Sequence, residues 1–186
     1  ETGIYHSTDG GKSWKNKGLK QSEHLSKIIV HPNDPNTVWV ASQGPLWSSG
    51  GERGLYKTTD GGKTWNNTLE IDEWTGVTDL LIDPRNPDVL YCASWQRHRN
   101  VASYIGGGPG TSIYKSTDGG DNWTKINKGL PSSNMGKIGL AISPINPDVV
   151  YAAIEKERRK GAVYRSANAG GSWKKMSETV SAGTGP

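Results

Sequence analysis

The sequence contains no phenylalanine, a single cysteine and few hydrophobic residues overall. Of its 186 residues, 32% are hydrophobic, and Cys92 lies in the short apolar run VLYCAS. One cysteine cannot form a disulfide within the chain, and without CxxC-type spacing it does not indicate a metal site, so we expect no metal and no cofactor. No apolar stretch reaches the length of a membrane-spanning helix, so we expect no transmembrane segment.

The large apolar side chains that are present are mostly aromatic. Eight Trp and seven Tyr are spread along a chain that 25 Gly and 10 Pro interrupt. Trp, Tyr, Val and Ile favour strands, while Gly and Pro are typical of turns. The composition therefore predicts a turn-rich, all-β protein rather than a helical bundle.

The charge is mildly basic, with a net charge of +4 and one short basic run, KERRK, at residues 156–160. Such a run is more typical of a solvated loop than of a phosphate-binding patch. We therefore do not expect nucleic acid as a partner.

One eight-residue phrase recurs along the chain. STDGGKSW at residues 7–14 returns at 58–65 and 116–123 and, in degenerate form as SANAGGSW, at 166–173. Three other kinds of run alternate with it, of which LSKIIV, VWVAS and LYKT are examples. Each is short, apolar or alternating, and bounded by Gly, Pro, Asn or Asp, as strands are. The repeating unit is predicted to be four short strands, A to D, with the phrase forming the turn between C and D.

Units of four antiparallel strands that recur about every 50 residues predict the blades of a β-propeller. The chain divides into a half blade with strands C and D at 1–18, three blades at 25–68, 77–126 and 137–175, and a tail or linker at 176–186. Propellers close with roughly four to eight blades. We therefore expect a single partial propeller of about three and a half blades, completed by remaining blades of the same or another chain.

The repeated phrase reads as a structural brace. Its Gly pair permits positive φ in a tight turn, its Asp can accept backbone N–H groups, and its Trp can pack between sheets. In the fourth copy Asn168 replaces the Asp, which keeps an acceptor but loses the charge. A brace tolerates that change, whereas a catalytic carboxylate does not. The predicted structural residues are Ser7, Asp9, Gly11, Trp14, Thr58, Asp60, Gly62, Trp65, Ser116, Asp118, Gly120, Trp123, Ser166, Asn168, Gly170 and Trp173.

Four copies of SxDxGxxW at blade spacing resemble the Asp box, or BNR repeat, of sialidases, sortilin-type receptors and xyloglucanase-type glycosidases. Stretches such as SWQRHRN and GGGPGTSIYKSTDGGDNW are similar to large exported bacterial proteins with sortilin-like propellers, which are often labelled glycosyl hydrolases. The resemblance covers nearly the whole chain. It implies an exported protein, periplasmic, secreted or at the cell surface, in which the box braces the periphery away from any active site.

Strand order places the working surface on the face opposite the Asp boxes. The B–C and D–A loops share that face, and they are longer and less alike than the A–B and C–D turns. Binding residues tend to lie on such variable loops. The predicted ligand-binding residues are Trp47, Arg53, Trp74, Trp95, Arg97, His98, Arg99 and Tyr104. The alternative is that the three loop Trp residues pack loop against loop.

Two functions remain open, and a third has no specific support. The first is a non-catalytic scaffold that binds a protein, peptide or glycan on the loop face. The second is a glycoside hydrolase, which needs two carboxylates roughly 5–10 Å apart; Asp79, Glu73 and Glu70 are the weak candidates. The arginine trio of a sialidase-like site is not matched, because the A strands carry no Arg. The third, also suggested by resemblance, is an assembly factor for a membrane complex.

Overall fold

The computed structural model describes residues 2–156 and 160–180 as an assembly of strands and turns. Residue 1, residues 157–159 of the KERRK run and the end of the predicted tail, 181–186, lie outside the described residues. Within the described ranges there is no helix that could cross a membrane.

The strands form one two-stranded piece followed by three four-stranded antiparallel sheets, as the sequence predicts. The half blade pairs β1 (Tyr5–His6) with β2 (Lys15–Asn16). The second blade orders β3 (Leu25–His31), β4 (Asp34–Ser42), β5 (Gly54–Thr58) and β6 (Asn66–Leu69). The third contains β7 (Thr75–Asp83), β8 (Asn86–Gln96), β11 (Ile113–Ser116) and β12 (Thr124–Lys125), and the fourth contains β13 (Ile138–Ile142), β14 (Val150–Lys156), β15 (Lys160–Ser166) and β16 (Lys174–Val180). The all-β, partial-propeller fold is confirmed.

Two details differ from the sequence prediction. The loop after β8 contains its own small hairpin, in which β9 (His98–Arg99) pairs with β10 (Tyr104–Ile105). The last strand, β16, continues to Val180, whereas the sequence places the end of that blade at residue 175. Strand β16 pairs along β15 through backbone hydrogen bonds, which do not require the apolar side chains that the prediction relied on.

The core lies between neighbouring sheets. Trp39, Leu55 and Leu80 fill the space between the second and third blades. Tyr91 and Ile138 fill the space between the third and fourth. Each contact joins strands from successive blades, so the sheets stabilise one another in series. Cys92 is fully buried in this core, and burial raises the pKa of its thiol well above the ordinary value.

Candidate functional site

The Asp boxes form closed hydrogen-bonded turns. In the second copy, the Asp60 carboxylate accepts hydrogen bonds from the backbone N–H groups of Lys63 and Thr64, at 2.9 and 3.0 Å, and from the hydroxyls of Thr58 and Thr64. These bonds, the Thr64 hydroxyl first, hold the pKa of Asp60 far below its usual range. Each carboxylate oxygen is therefore occupied within its own turn.

The other copies repeat this geometry. The hydroxyl and backbone N–H of Ser13, with the Ser7 hydroxyl, lower the pKa of Asp9 to about 2. In the degenerate copy, Asn168 Oδ1 accepts the backbone N–H of Ser172 at 2.9 Å, and its amide donates to the Ser172 hydroxyl. The amide thus takes over the bonds of the carboxylate, which supports a bracing role for the box.

On the opposite face, Arg53 organises the loop between β4 and β5. Its guanidinium is buried and donates only to backbone carbonyl oxygens. The acceptors are those of Gln43, Pro45, Ser48, Gly50 and Trp74. Burial and the nearby Arg97 charge lower the pKa of Arg53. Arg53 therefore holds the loop in shape and has no surface to offer a ligand, which corrects its prediction as a binding residue.

Trp95 and Arg97 are also buried, so their prediction as ligand contacts is corrected in the same way. The Trp95 indole N–H donates to the Gly106 carbonyl at 2.9 Å, and the Arg97 guanidinium carbon lies 5.4 Å from the centroid of the Trp95 ring. Arg97 Nη2 donates to the Gly44 carbonyl at 2.9 Å, which ties the third blade to the loop of the second. Trp95 is therefore held by the loop of its own blade, whereas Arg97 connects loops of neighbouring blades.

An exposed aromatic and cationic cluster remains at the surface, formed by Trp47, Arg99 and Tyr104. The Arg99 guanidinium carbon lies 5.6 Å from the Trp47 ring and 5.7 Å from the Tyr104 ring. Two backbone links fix it: Arg99 pairs with Tyr104 across the β9–β10 hairpin, and its N–H donates to the Leu46 carbonyl. Trp47 is 60% exposed. We call these three residues the Arg99 cluster.

Trp74 and His98 form a second, half-buried pair beside the Arg99 cluster. Their ring centroids lie 4.0 Å apart with a tilt of 33°. The Trp74 ring also lies 5.9 Å from the Arg53 guanidinium carbon, and the Trp74 carbonyl accepts the Arg97 N–H. The pair therefore links the buried arginines to the surface, and both side chains are partly exposed.

The carboxylates that sequence reasoning singled out do not converge. Glu70 and Glu73 are exposed, and Asp79 lies on the inner strand β7. The Asp79 carboxylate accepts the backbone N–H of Leu80 and, from the next blade, that of Leu140, both at 2.8 Å. The described residues contain no hydrogen bond between any two of these three acids and no cluster of acids, His or Cys suited to a metal ion.

Lys137 and the β9–β10 hairpin were missed by sequence reasoning. The Lys137 ammonium lies 5.4 Å from the Trp95 ring, on the side of the third blade that faces the fourth. Nothing in the sequence marks this lysine, because the contact spans two blades. The hairpin did carry a local signal: Asn100 Oδ1 accepts the N–H groups of Ala102 and Ser103, which is the turn chemistry expected of Asn.

Comparison with known protein families identifies the family of this chain. The sequence profile of the Sortilin-Vps10 family, described as sortilin, neurotensin receptor 3, matches residues 2–130. The chain belongs to this family. The resemblance to Asp-box propellers that the repeats suggested is thus confirmed.

Curated relatives outside the receptor group are named as xyloglucanases. A xyloglucanase of Acetivibrio thermocellus is 29% identical over 138 residues, which is 66% of this chain and 14% of that protein. A probable oligoxyloglucan-reducing end-specific xyloglucanase of Neosartorya fischeri is 29% identical over 104 residues, which is 54% of this chain and 10% of that protein. The chain thus aligns with only a small part of these relatives' length.

Solved structures agree on the fold. The GH74 enzyme of Niastella koreensis superposes with a TM-score of 0.70 at 20% identity, covering 93% of this chain and 26% of that one. The GH74 xyloglucanase of Xanthomonas campestris gives 0.70 at 15% identity, covering 94% and 27%. At such identities the likeness concerns the propeller fold alone.

Proposed function

We propose that this chain is a non-catalytic part of a glycan-binding β-propeller, with the Arg99 cluster as its contact surface. The observation that carries the proposal is the exposed Trp47 ring beside an Arg99 guanidinium that two aromatic rings flank. Aromatic rings stack on the apolar faces of sugar rings, and a guanidinium supplies donors for hydroxyl or carboxylate oxygens. The half-buried Trp74 and His98 extend this surface.

The names of the relatives favour a glycan as the ligand over a protein or peptide. Two of them are named for xyloglucan, a polysaccharide, and the solved neighbours are GH74 enzymes. The Arg99 guanidinium donates no hydrogen bond to the described residues, so its donors are available to a ligand. A protein or peptide ligand on the same cluster is the alternative, and it is distinguished by the binding experiment below.

Catalysis by this chain is disfavoured by the bonds that Asp79, its candidate on an inner strand, already makes. Asp79 bonds two backbone N–H groups, and Lys27 lies 3.9 Å from it. A glycosidase needs one carboxyl group free to protonate the leaving oxygen and a second across the bond. The names of the relatives do favour glycoside hydrolysis as the second candidate function for a longer protein, with at least part of its acid–base pair outside this chain.

The test is calorimetric titration of xyloglucan oligosaccharides, with Trp47→Ala as the variant and Trp14→Ala as its matched control. Both side chains are 60% exposed Trp, but Trp14 belongs to an Asp box. We expect Trp47→Ala to weaken binding about tenfold or more, and Trp14→Ala to leave it unchanged. Equal binding by wild type and Trp47→Ala would refute the assigned surface. Binding of unrelated peptides but no glycan would favour the protein-ligand alternative.

Hydrolysis is measured on the same oligosaccharides by release of new reducing ends. We expect none from this chain. Turnover that Asp79→Asn or Glu73→Gln abolishes, without loss of folding, would establish the hydrolase instead. Export from the cell, which the family resemblance implies, remains a prediction, and so does completion of the propeller by further blades.

A further inference from the structure

The Arg99 guanidinium is an unneutralised cation on the face that carries the long loops. It forms no ion pair with an acid in residues 2–156 or 160–180, and it donates no hydrogen bond to any group there. Its contacts are with the Trp47 and Tyr104 rings, 5.6 and 5.7 Å from the guanidinium carbon. A ring face attracts a cation but does not replace a hydrogen-bond acceptor. The N–H donors of Arg99 are therefore available to a ligand.

The loop that presents Trp47 is fixed from below. The carbonyl oxygens of Pro45 and Ser48, on either side of Trp47, accept hydrogen bonds from the same side chain. That side chain is Arg53, which is buried. Trp47 is thus exposed on a backbone that is already ordered, so a ligand that covers the ring pays little for ordering the loop.

The Tyr104 ring is fixed as well. It packs against the backbone of Gly106, where a Cβ would lie only 2.8 Å from Tyr104 Cε1. The Gly106 carbonyl in turn accepts the indole N–H of the buried Trp95 at 2.9 Å. Arg99 pairs with Tyr104 across the β9–β10 hairpin, so the ring and the guanidinium share one support. The Arg99 cluster is therefore a preorganised surface with one free cation.

Positive charge exceeds negative charge at the Tyr104 hydroxyl. Burial raises the pKa of Tyr104, the charges of Arg97 and Arg99 oppose that rise, and the charge of Glu155 adds to it. Two cations and one acid therefore act on this hydroxyl. An anionic group placed against Arg99 would balance the local charge.

Acids on the neighbouring loops have other partners. The Asp72 carboxylate accepts the backbone N–H of Trp74 at 2.8 Å and the hydroxyl of Thr75 at 2.7 Å. The Glu155 carboxylate accepts the backbone N–H of Lys137 at 3.3 Å. Within the part of the chain that the structure describes, no carboxylate serves the exposed guanidinium, and a ligand has to supply it.

A carboxylate is the group that such a guanidinium recognises best. Its two oxygens match two N–H donors of the planar fork, and these charge-assisted hydrogen bonds are roughly twice as strong as those between neutral groups. The 5.6 Å between the Trp47 ring and the Arg99 guanidinium carbon is short enough for one sugar residue to contact both. A sugar stacked on the ring can therefore place a carboxylate beside the cation.

We propose that the Arg99 cluster recognises an acidic sugar, a uronic acid unit whose ring stacks on Trp47 and whose carboxylate pairs with the Arg99 guanidinium. The inference rests on the proposed glycan-binding function and adds the charge of the ligand to it. A neutral glycan binds through stacking on Trp47, whereas an acidic one gains the pair with Arg99. Arg99 therefore sets the preference for acidic over neutral sugars.

The test compares one oligosaccharide with and without its charge. An oligogalacturonide carries a carboxylate on each sugar, and its methyl ester has the same backbone without that charge. In calorimetric titrations, wild type should bind the acid about tenfold or more tightly than the ester. Added salt should weaken binding of the acid and leave binding of the ester unchanged.

Substitutions of Arg99 assign the preference to this side chain. Arg99→Gln should bind the acid as weakly as the ester, with the ester affinity close to that of wild type. Arg99→Lys keeps the charge but loses the fork, so it should retain only part of the preference. Lys63→Gln is the control, because the exposed Lys63 lies in an Asp box on the opposite face and its substitution removes the same charge. Circular dichroism establishes that each variant is folded.

Two results would contradict the role of Arg99. The first is a preference for the acid that persists in Arg99→Gln. The second is a preference that Lys63→Gln abolishes as completely as Arg99→Gln does, because the effect would then follow net charge rather than a pair at the cluster.

Trp47→Ala separates this inference from the proposed function. It should weaken binding of the acid and the ester alike, about tenfold or more, because both stack on the same ring. Equal affinity of wild type for acid and ester, with both affinities reduced in Trp47→Ala, would overturn the carboxylate site and leave the glycan surface in place. If wild type binds neither of them and no xyloglucan oligosaccharide, the proposed function fails together with this inference.

Discussion

Asp79 Oδ2 accepts a hydrogen bond of 2.8 Å from the backbone N–H of Leu140, so a single carboxylate joins the innermost strands of two neighbouring blades. The same side chain accepts the N–H of Leu80 through its other oxygen. Ser26 has a comparable role one blade earlier, where its hydroxyl donates to the Val77 carbonyl at 3.1 Å. The Asp79 side chain therefore connects the third and fourth blades.

Asp79→Ala should therefore destabilise the fold. Removing the carboxylate leaves the N–H groups of Leu80 and Leu140 without acceptors, and we expect a loss of about 1–3 kcal/mol in the free energy of unfolding. Asp79→Asn keeps one acceptor oxygen and should lose less. Urea denaturation measures both. A fully stable Asp79→Ala protein would show that the bond to Leu140 does not support the fold.

Gly120→Ala should be costly, and Gly139→Ala is its control. Gly120 has φ of +82°, and a Cβ there would lie 2.7 Å from Trp39 Nε1. Strain and displacement of Trp39 should cost about 1–3 kcal/mol. At Gly139 a Cβ meets nothing within 4 Å, so the control should change stability little. Equal thermal stability of the two variants would rule out the close contact between Gly120 and the Trp39 indole.

Stability should fall with acid because the Asp-box carboxylates have lowered pKa values in the folded state. Asp9 has a pKa of about 2 when folded, against 3.8 ordinarily, and hydrogen bonds led by the Asn122 N–H lower that of Asp118 as well. Between these pH values the unfolded chain binds more protons than the folded chain does. The stability that these carboxylates contribute above about pH 4 is therefore lost as the pH falls towards 2 and below.

Two substitutions in the Asp boxes test whether these carboxylates cause the acid sensitivity. Asp118→Asn removes one titrating group and should flatten the decline of stability below pH 4. Asn168→Asp adds a group to the box that naturally lacks one, and should steepen it. Denaturant midpoints at a series of pH values give both slopes. Identical slopes in all three proteins would assign acid sensitivity to groups other than the boxes.

Arg53→Met should release the loop between β4 and β5. The buried guanidinium donates to five carbonyl oxygens, which a thioether cannot do, so we expect a loss of about 2–3 kcal/mol and rapid proteolysis within residues 42–54. Arg99→Met, on the exposed side, should leave stability and proteolysis unchanged. A loop that resists protease equally in both variants would contradict the bracing role of Arg53.

The sequence predicted the blades well because strand units and turns are local patterns repeated four times. It could not predict which loop residues are buried. Arg53 and Arg99 are the same residue type in similar loops, but only Arg53 lies where backbone carbonyls of several segments converge. Trp47 and Trp95 differ for the same reason, since the β9–β10 segment covers Trp95 and leaves Trp47 outside. Burial of this kind depends on how each long loop folds back on itself and on its neighbour, which local sequence patterns do not specify.

The most direct test of the proposed function is one titration of a xyloglucan oligosaccharide, with reducing ends assayed in the same sample, for wild type and Trp47→Ala. We predict saturable binding by wild type, binding by Trp47→Ala weakened about tenfold or more, and no new reducing ends from either protein. Steady release of reducing ends by wild type, or undiminished binding by Trp47→Ala, would contradict a non-catalytic glycan surface at the Arg99 cluster.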